Sequence, residues 1–415
     1  MRKRFPKTGT DWATLKDRMS GMRRGDVRWR EGRAPLHVYY AGHDVLEVVE
    51  QAHRMFMWEN ALSPAAFPSL AKMEDEVVQY ALDLFGGGPD SAGSITTGGT
   101  ESIILAMKAA RDRSAKHGLF GPGQPEVLMP RTAHPIFDKA AHLLGLRPVR
   151  IPVNGKLQAD VGAMAASITE RTALLVVSAP SLPYGVIDPV ESIGRLALEH
   201  NIWLHVDACI GGYLAPFVKR LGYPVPGFDF SVPGVRSISA DLHKYGFAAK
   251  GASTILYSDA ESHSYQFTVF SDWPKGKYFT PTMLGSRSGG PIAAAWAVMN
   301  YLGEDGYLDL ARRIMDTRRS YMEGILEIGE FEILGAPHLA LFSFASRGID
   351  IEAVGDEMER LGWYISRISE PKGIHQMLNL AHEPVVGSYL RDLEMSTDRV
   401  RRLSLTGRDV EVVTY

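Results

Sequence analysis

VRSISADLHKYG, residues 235–246, joins a β-rich run directly to a lysine, with Asp241, His243 and Tyr245 around Lys244. On either side the same rhythm repeats. Short β-rich runs occur at VLMP (127–130), VRIPV (149–153), TALLVVS (172–178), IWLHVD (202–207) and STILYS (253–258). Helical runs lie between several of them: HPIFDKAAHLLG (134–145), ADVGAMAASI (159–168) and VESIGRLALEH (190–200). Alternation of this kind predicts an α/β fold with a mostly parallel central sheet covered by helices. Continuously apolar strands fit burial on both faces.

Upstream, SLAKMEDEVVQYALDLFGG (69–87) has helical periodicity and ends in Gly86, Gly87 and Gly88, a helix-stop signal. ITTGGTES (95–102) then leads into the helical stretch 103–117. Residues 290–330 read as helix, and the remainder alternates short β segments with helices, as in LALFSFAS (339–346) and IEAVGDEMERLGW (351–363). The expected division is an N-terminal arm over 1–60, a large domain over 61–300 and a smaller C-terminal α/β domain over 301–415. Residues 1–60 read as irregular and rich in Arg, Trp and His. Their aromatics favour an arm laid on the protein or on a partner subunit over a disordered tail.

Composition narrows the function classes. The chain has 415 residues, 45 Lys+Arg against 48 Asp+Glu, a net charge of -3 and 45% hydrophobic residues. This balance gives no whole-chain argument for nucleic acid. MRKRFPKTGTDW is basic but has no apolar stretch behind it, so it does not read as a signal peptide. No run approaches the roughly 20 apolar residues that span a bilayer. One cysteine, Cys209, excludes an intrachain disulfide and a multi-cysteine metal site. A cytoplasmic location is the default expectation.

Four motifs could carry chemistry. Lys244 suits an imine-forming nucleophile if burial and a nearby cation hold its pKa down; the alternative is a solvated surface lysine. Asp207 closes the strand IWLHVD, where ligands of open α/β sheets sit, and a carboxylate there can pair with a protonated pyridine nitrogen; the alternative is a cap or turn residue. In TTGGTES (96–102), Gly98 and Gly99 permit close backbone approach and Thr100 supplies a hydroxyl at a helix start. The motif fits neither the dinucleotide nor the P-loop pattern, so it is either the phosphate site of a small cofactor or an ordinary glycine turn. His134, before Pro135, could stack on an aromatic ring or simply cap a helix. All four fall at strand-to-helix junctions.

Together these motifs resemble the pyridoxal-phosphate group II decarboxylase-like family, and within it the branch of lyases acting on phosphorylated long-chain bases. The resemblance runs from about residue 35 to 380 and rests on FPSLAKME (67–74), LFGGGPDSAGSITTGGTESI (84–103), GVIDPV (185–190), HVDACIGG (205–212), SADLHKYGFAAKG (239–251) and GSRSGG (285–290). It implies a type I aminotransferase-like fold, pyridoxal 5'-phosphate as cofactor and a homodimer with shared active sites. It also implies Lys244 as the Schiff-base lysine, Asp207 as partner of the ring nitrogen and His134 as the stacking ring. Gly99, Thr100 and His243 would hold the cofactor phosphate, joined by Ser286 from the neighbouring subunit. Tyr39, rather than Tyr40, together with Asn60 and Lys250 would lie near the substrate. NALSPAAFP (60–68) departs from the family pattern, with Ser63 where a phosphate-binding histidine is usual. A neutral hydroxyl is the weaker anion partner. The membrane anchor of eukaryotic members is not seen, which suggests a bacterial-type member. The implied activity is cleavage of a phosphorylated long-chain amino alcohol to a fatty aldehyde and ethanolamine phosphate. An amino-acid decarboxylase is the nearest alternative, and a non-catalytic cofactor-binding protein a more distant one.

Overall fold

A computed structural model describes residues 2, 4–119 and 121–408; the ends of the expected N-terminal arm and C-terminal domain, and Phe120 within the large domain, lie outside the described residues. Seven strands form the main sheet: β1 (Ala92–Thr96), β2 (Glu126–Pro130), β3 (Arg147–Ile151), β4 (Thr172–Ser178), β5 (Trp203–Asp207), β6 (Val235–Ala240) and β7 (Ser253–Tyr257). Their order is β1-β7-β6-β5-β4-β2-β3, and only β7 runs against the others. The carboxyl ends of the other six strands therefore share one edge.

The strands are apolar along their whole length because both faces are covered. Within β4, Leu175 and Val177 face one core with Leu204 and Ile238, while Leu174 and Val176 face another with Met129 and Tyr257. Three helices, α1 (Trp12–Met22), α2 (His43–Met55) and α3 (Pro68–Leu84), precede β1, and of these α2 and α3 pack on the main core. Next, α4 (Gly99–Lys116), α5 (Ile136–Leu144), α6 (Val161–Ser167), α7 (Val190–Glu199) and α8 (Ala215–Arg220) alternate with the strands. A short α9 (Ala260–Ser264) and the two-stranded ribbon β8 (Thr268–Phe270) and β9 (Tyr278–Thr280) follow β7.

Then comes the long α10 (Gly289–Glu327), broken at Gly303, whose φ of 55° and ψ of -172° leave the helical region. Buried residues of α10 up to Met315 belong to the main core, whereas Tyr321 and Ile325 belong to the core of a second sheet. That sheet has the order β10-β11-β13-β12, from β10 (Phe331–Ile333), β11 (Leu341–Ser346), β12 (Ser366–Ser369) and β13 (Lys372–Met377). α11 (Ile351–Arg360) and α12 (Val386–Leu403) pack against it.

The reading of residues 1–60 as irregular is corrected over two stretches, since α1 and α2 are regular helices. In α2 the cause is tertiary: Val45 and Val49, four apart, are buried against the main core. Gly290 lets the helix come close, because a Cβ there would stand 2.8 Å from Nε2 of His53. Residues between the two helices lie along the small domain. Tyr364 and Met377 donate their backbone N–H groups to the carbonyls of Arg33 and Pro35, and the Arg33 guanidinium sits 3.9 Å over the Trp363 ring.

Candidate active site

The shared edge of strand ends opens into a cavity of about 570 Å³. Thr100, His134, Asp207, His243 and Lys244 all line it, as does the Gly98–Gly99 turn. They arrive on four segments of chain. The turn lies between β1 and α4, His134 follows β2, Asp207 ends β5 and Lys244 follows β6.

Gly98 has a φ of 155°, which only glycine tolerates readily, and it starts α4. A Cβ on Gly99 would stand 2.9 Å from both Asp241 Oδ1 and Cys209 Sγ. This backbone cradle would be filled by any other residue. Glu101, buried in the first turn of α4, accepts hydrogen bonds from Thr97 N (2.8 Å) and Thr97 Oγ1 (2.6 Å) through one oxygen. Its other oxygen accepts from the N–H groups of Met283 (2.9 Å) and Leu284 (3.2 Å). Glu101 thereby fixes both the turn and a loop from beyond β9.

His134 Nδ1 accepts from Ile136 N at 3.1 Å. Burial pushes its pKa below the ordinary value, against the pull of Asp207. The neutral ring therefore carries its proton on Nε2. Asp207 Oδ1 accepts from Cys209 N at 3.1 Å and from Ser239 Oγ at 3.4 Å. These bonds orient an acceptor at the foot of the cavity. Burial pushes the Cys209 thiol well up, and the neutral thiol donates to Ser239 Oγ at 3.3 Å.

The expectation that burial and a nearby cation hold Lys244 down is corrected. Burial does oppose its charge, but Asp241 Oδ2 lies 3.0 Å from Nζ and raises the pKa above the ordinary lysine value. Burial acts to raise Asp241 in turn, and Lys244 followed by His243 outweighs it, so the carboxyl stays below its ordinary range. His243 lies 3.7 Å from the same carboxylate. Burial drives its pKa to about 4, so this contact is not an ion pair at neutral pH. His243 Nδ1 accepts from Ala252 N at 3.3 Å, which leaves the proton on Nε2.

Beside Lys244 stands a second lysine. Lys250 Nζ is 3.4 Å from the His243 carbonyl and 5.1 Å from the centroid of the Tyr39 ring. Although its side chain reaches the surface, protein around it and the Lys244 ammonium push its pKa down to about 8. Tyr39 packs edge-on against Tyr245 at 4.9 Å and its hydroxyl donates to Met377 Sδ at 2.7 Å. Tyr40 instead faces Trp29 at 6.0 Å. Of the two tyrosines, Tyr39 is the one the fold brings to Lys250.

Tyr39, Lys250, Asn60, Ser63 and Ser286 do not line this cavity. Asn60 Nδ2 donates to Ser286 Oγ at 3.0 Å, while Asn60 Oδ1 accepts from the N–H groups of Leu62 and Arg287. The Ser63 carbonyl accepts from Ala66 N at 3.0 Å and Phe67 N at 3.1 Å. Sequence reasoning missed Glu101, whose loop partners lie 182 and 183 residues away, and the charge-setting role of Asp241.

These residues fit pyridoxal phosphate. The glycine cradle suits a phosphate, and Asp207 and Lys244 on the same cavity suit the ring nitrogen and the aldehyde. Among the described residues no His, Cys, Asp and Glu group could hold a metal ion, and no helix is long and apolar enough to cross a membrane.

Comparisons with known proteins agree with this geometry. Residues 36–347 match the pyridoxal-dependent decarboxylase conserved domain. Sphingosine-1-phosphate lyase 1 of Rattus norvegicus is 41% identical over 403 residues, covering 96% of this chain and 70% of the rat protein. The structure of a Burkholderia pseudomallei sphingosine-1-phosphate lyase superposes with a TM-score of 0.92 at 35% identity, covering 97% of this chain and 94% of that one. A Lactobacillus brevis glutamate decarboxylase shares the fold at a TM-score of 0.84 and 17% identity, covering 100% of this chain and 96% of that one.

Proposed function

The chain belongs to the sphingosine-1-phosphate lyases of the pyridoxal-dependent decarboxylase family, and from that premise we propose that it cleaves the C2–C3 bond of a phosphorylated long-chain base to a fatty aldehyde and ethanolamine phosphate. The meeting of Lys244, Asp207, His134 and the Gly98–Gly99 turn in one cavity supports the cofactor, and Lys250 beside Tyr39 is the observation that carries the lyase reading. Pyridoxal phosphate, when bound, supplies an electron sink for the pair released by the broken carbon–carbon bond.

The chain's own residues do the rest. Lys244 would carry the cofactor, and the Asp241 carboxylate, 3.0 Å from its Nζ, holds that side chain in place. Asp207 would hold a proton at the ring nitrogen, and His134 would lie against the ring. Thr100, the Gly99 backbone and His243 Nε2–H would donate to the cofactor phosphate. The Lys250 ammonium suits the substrate phosphate, and the Tyr39 phenol suits proton transfer at the C3 hydroxyl.

We also place this chain in a homodimer. Leu62, Met283 and Leu284 are exposed apolar side chains beside Asn60 and Ser286, which supports a partner subunit covering that face. Asn60, Ser63 and Ser286 would then serve the partner's site. A cytoplasmic setting suits Cys209, a buried free thiol.

Purified protein supplied with pyridoxal phosphate should develop a visible absorption band that Lys244→Ala abolishes. It should convert sphingosine phosphate to a long-chain aldehyde without releasing carbon dioxide. Carbon dioxide from amino acids, with no aldehyde from the phosphorylated base, would replace this reading with a decarboxylase.

A further inference from the structure

We propose that the groove between the loop after β4 and the β12–β13 hairpin holds the alkyl tail of the substrate, an assignment that rests on the lyase reading above. The groove has a volume of about 700 Å³, within the usual range for small-molecule sites. It shares His134 and Leu182 with the cavity that contains Lys244, so the two spaces meet at one wall. Val153, Leu157 and Pro183 from the large domain and Ile368 and Pro371 from the small domain give it an apolar lining.

Three arginines also border the groove, which raises the question of an anion site. None has charge to spare. Arg150 donates to the carbonyls of Pro130, Arg131 and Ala133 and pairs with Asp138. Arg367 is matched by Glu352 at 2.9 Å, Asp356 at 2.9 Å and Glu359. Arg131 pairs with Glu370 at 2.6 Å. With every guanidinium neutralised by the protein's own carboxylates or bound to its carbonyls, the groove suits an uncharged apolar guest rather than a phosphate.

The groove also has a fixed roof. The turn of the β12–β13 hairpin is tied to the large domain twice, by the Arg131–Glu370 pair and by the Tyr184 hydroxyl donating to the Glu370 carbonyl. Both ties run from the large domain to the one residue Glu370. A chain leaving C3 of the substrate past His134 and Leu182 would pass beneath them.

The test compares a long-chain and a four-carbon phosphorylated 2-amino-3-alcohol on the same preparation. Each methylene buried in an apolar site is worth roughly fourfold in binding. Wild-type protein should therefore prefer the long substrate strongly in kcat/KM. Filling the groove by Ile368→Trp, or from the facing wall by Val153→Trp, should lower the ratio of long to short kcat/KM at least tenfold. A partly unfolded variant loses both activities together and leaves the ratio intact, so the ratio reads the groove alone. A wild-type ratio near one, or variants that keep the wild-type ratio, would overturn the tail assignment while leaving the lyase reading standing. A wild type that cleaves neither substrate would overturn both.

Discussion

Lys250 is where charge and pH meet in this site. Its pKa, pushed down to about 8 by the surrounding protein and by Lys244, makes it an ammonium below that pH and a neutral amine above it. The second ionisation of a phosphate ester lies near 6. The phosphate is a dianion above about 6 and Lys250 an ammonium below about 8, so the attraction is greatest between those values and is lost as pH rises further. Because kcat/KM reports the free enzyme, it should fall above roughly pH 8 and level off at the value set by an uncharged Lys250. Lys250→Met should remove that falling limb and lower kcat/KM by roughly ten- to a hundredfold at pH 7, the scale of a charge-assisted hydrogen bond. An unchanged limb in the variant would show that another group titrates there. Lys244 behaves in the opposite sense, since Asp241 raises its pKa. The two lysines are six positions apart, and the sequence shows both; it does not show that only one of them has a carboxylate at 3.0 Å.

At the scale of elements, Glu101 couples the start of α4 to the loop that precedes α10. Glu101→Ala leaves the N–H groups of Thr97, Met283 and Leu284 without their acceptor. These groups are part-buried, so water meets them in part and each lost bond costs on the order of 1 kcal/mol. The variant should unfold at lower denaturant and bind pyridoxal phosphate about tenfold more weakly in a fluorescence titration, with Glu101→Gln intermediate; wild-type affinity in Glu101→Ala would rule the coupling out. Such links mark the border of what the sequence makes legible. Parallel strands such as TALLVVS and IWLHVD announce themselves because burial on both faces leaves them apolar throughout. β1 does not: AGSIT is poor in strand-forming residues and is held by pairing with β7, more than 150 residues away in sequence. Helix α2 escapes notice for a related reason, because its buried stripe is only Val45 and Val49 and its packing partner α10 is remote. The site residues at strand ends were legible as local motifs, whereas the Asn60–Ser286 bond spans 226 positions and leaves no local trace.

Taken whole, the molecule divides its expected site residues between two places. Lys244, Asp207 and His134 surround one cavity, whereas Asn60, Ser63 and Ser286 are not in its lining, although Met283 and Leu284, next to Ser286 in the chain, are. A symmetric dimer in which each subunit lends the second group to its neighbour would reunite them. Mixed dimers decide the matter. Lys244→Ala removes the lysine from a chain's own cavity, and Ser286→Arg would obstruct the cavity that Ser286 serves. If Ser286 serves the partner, a dimer of one variant chain with the other holds one site with both defects and one site with neither. Random association of equal amounts makes half the dimers mixed, so activity should return to about a quarter of the wild-type level. If Ser286 serves its own chain, every site in the mixture carries one defect and no activity returns. Each variant alone should be inactive in either case, and sedimentation of the mixture at the dimer position separates failed complementation from failed assembly.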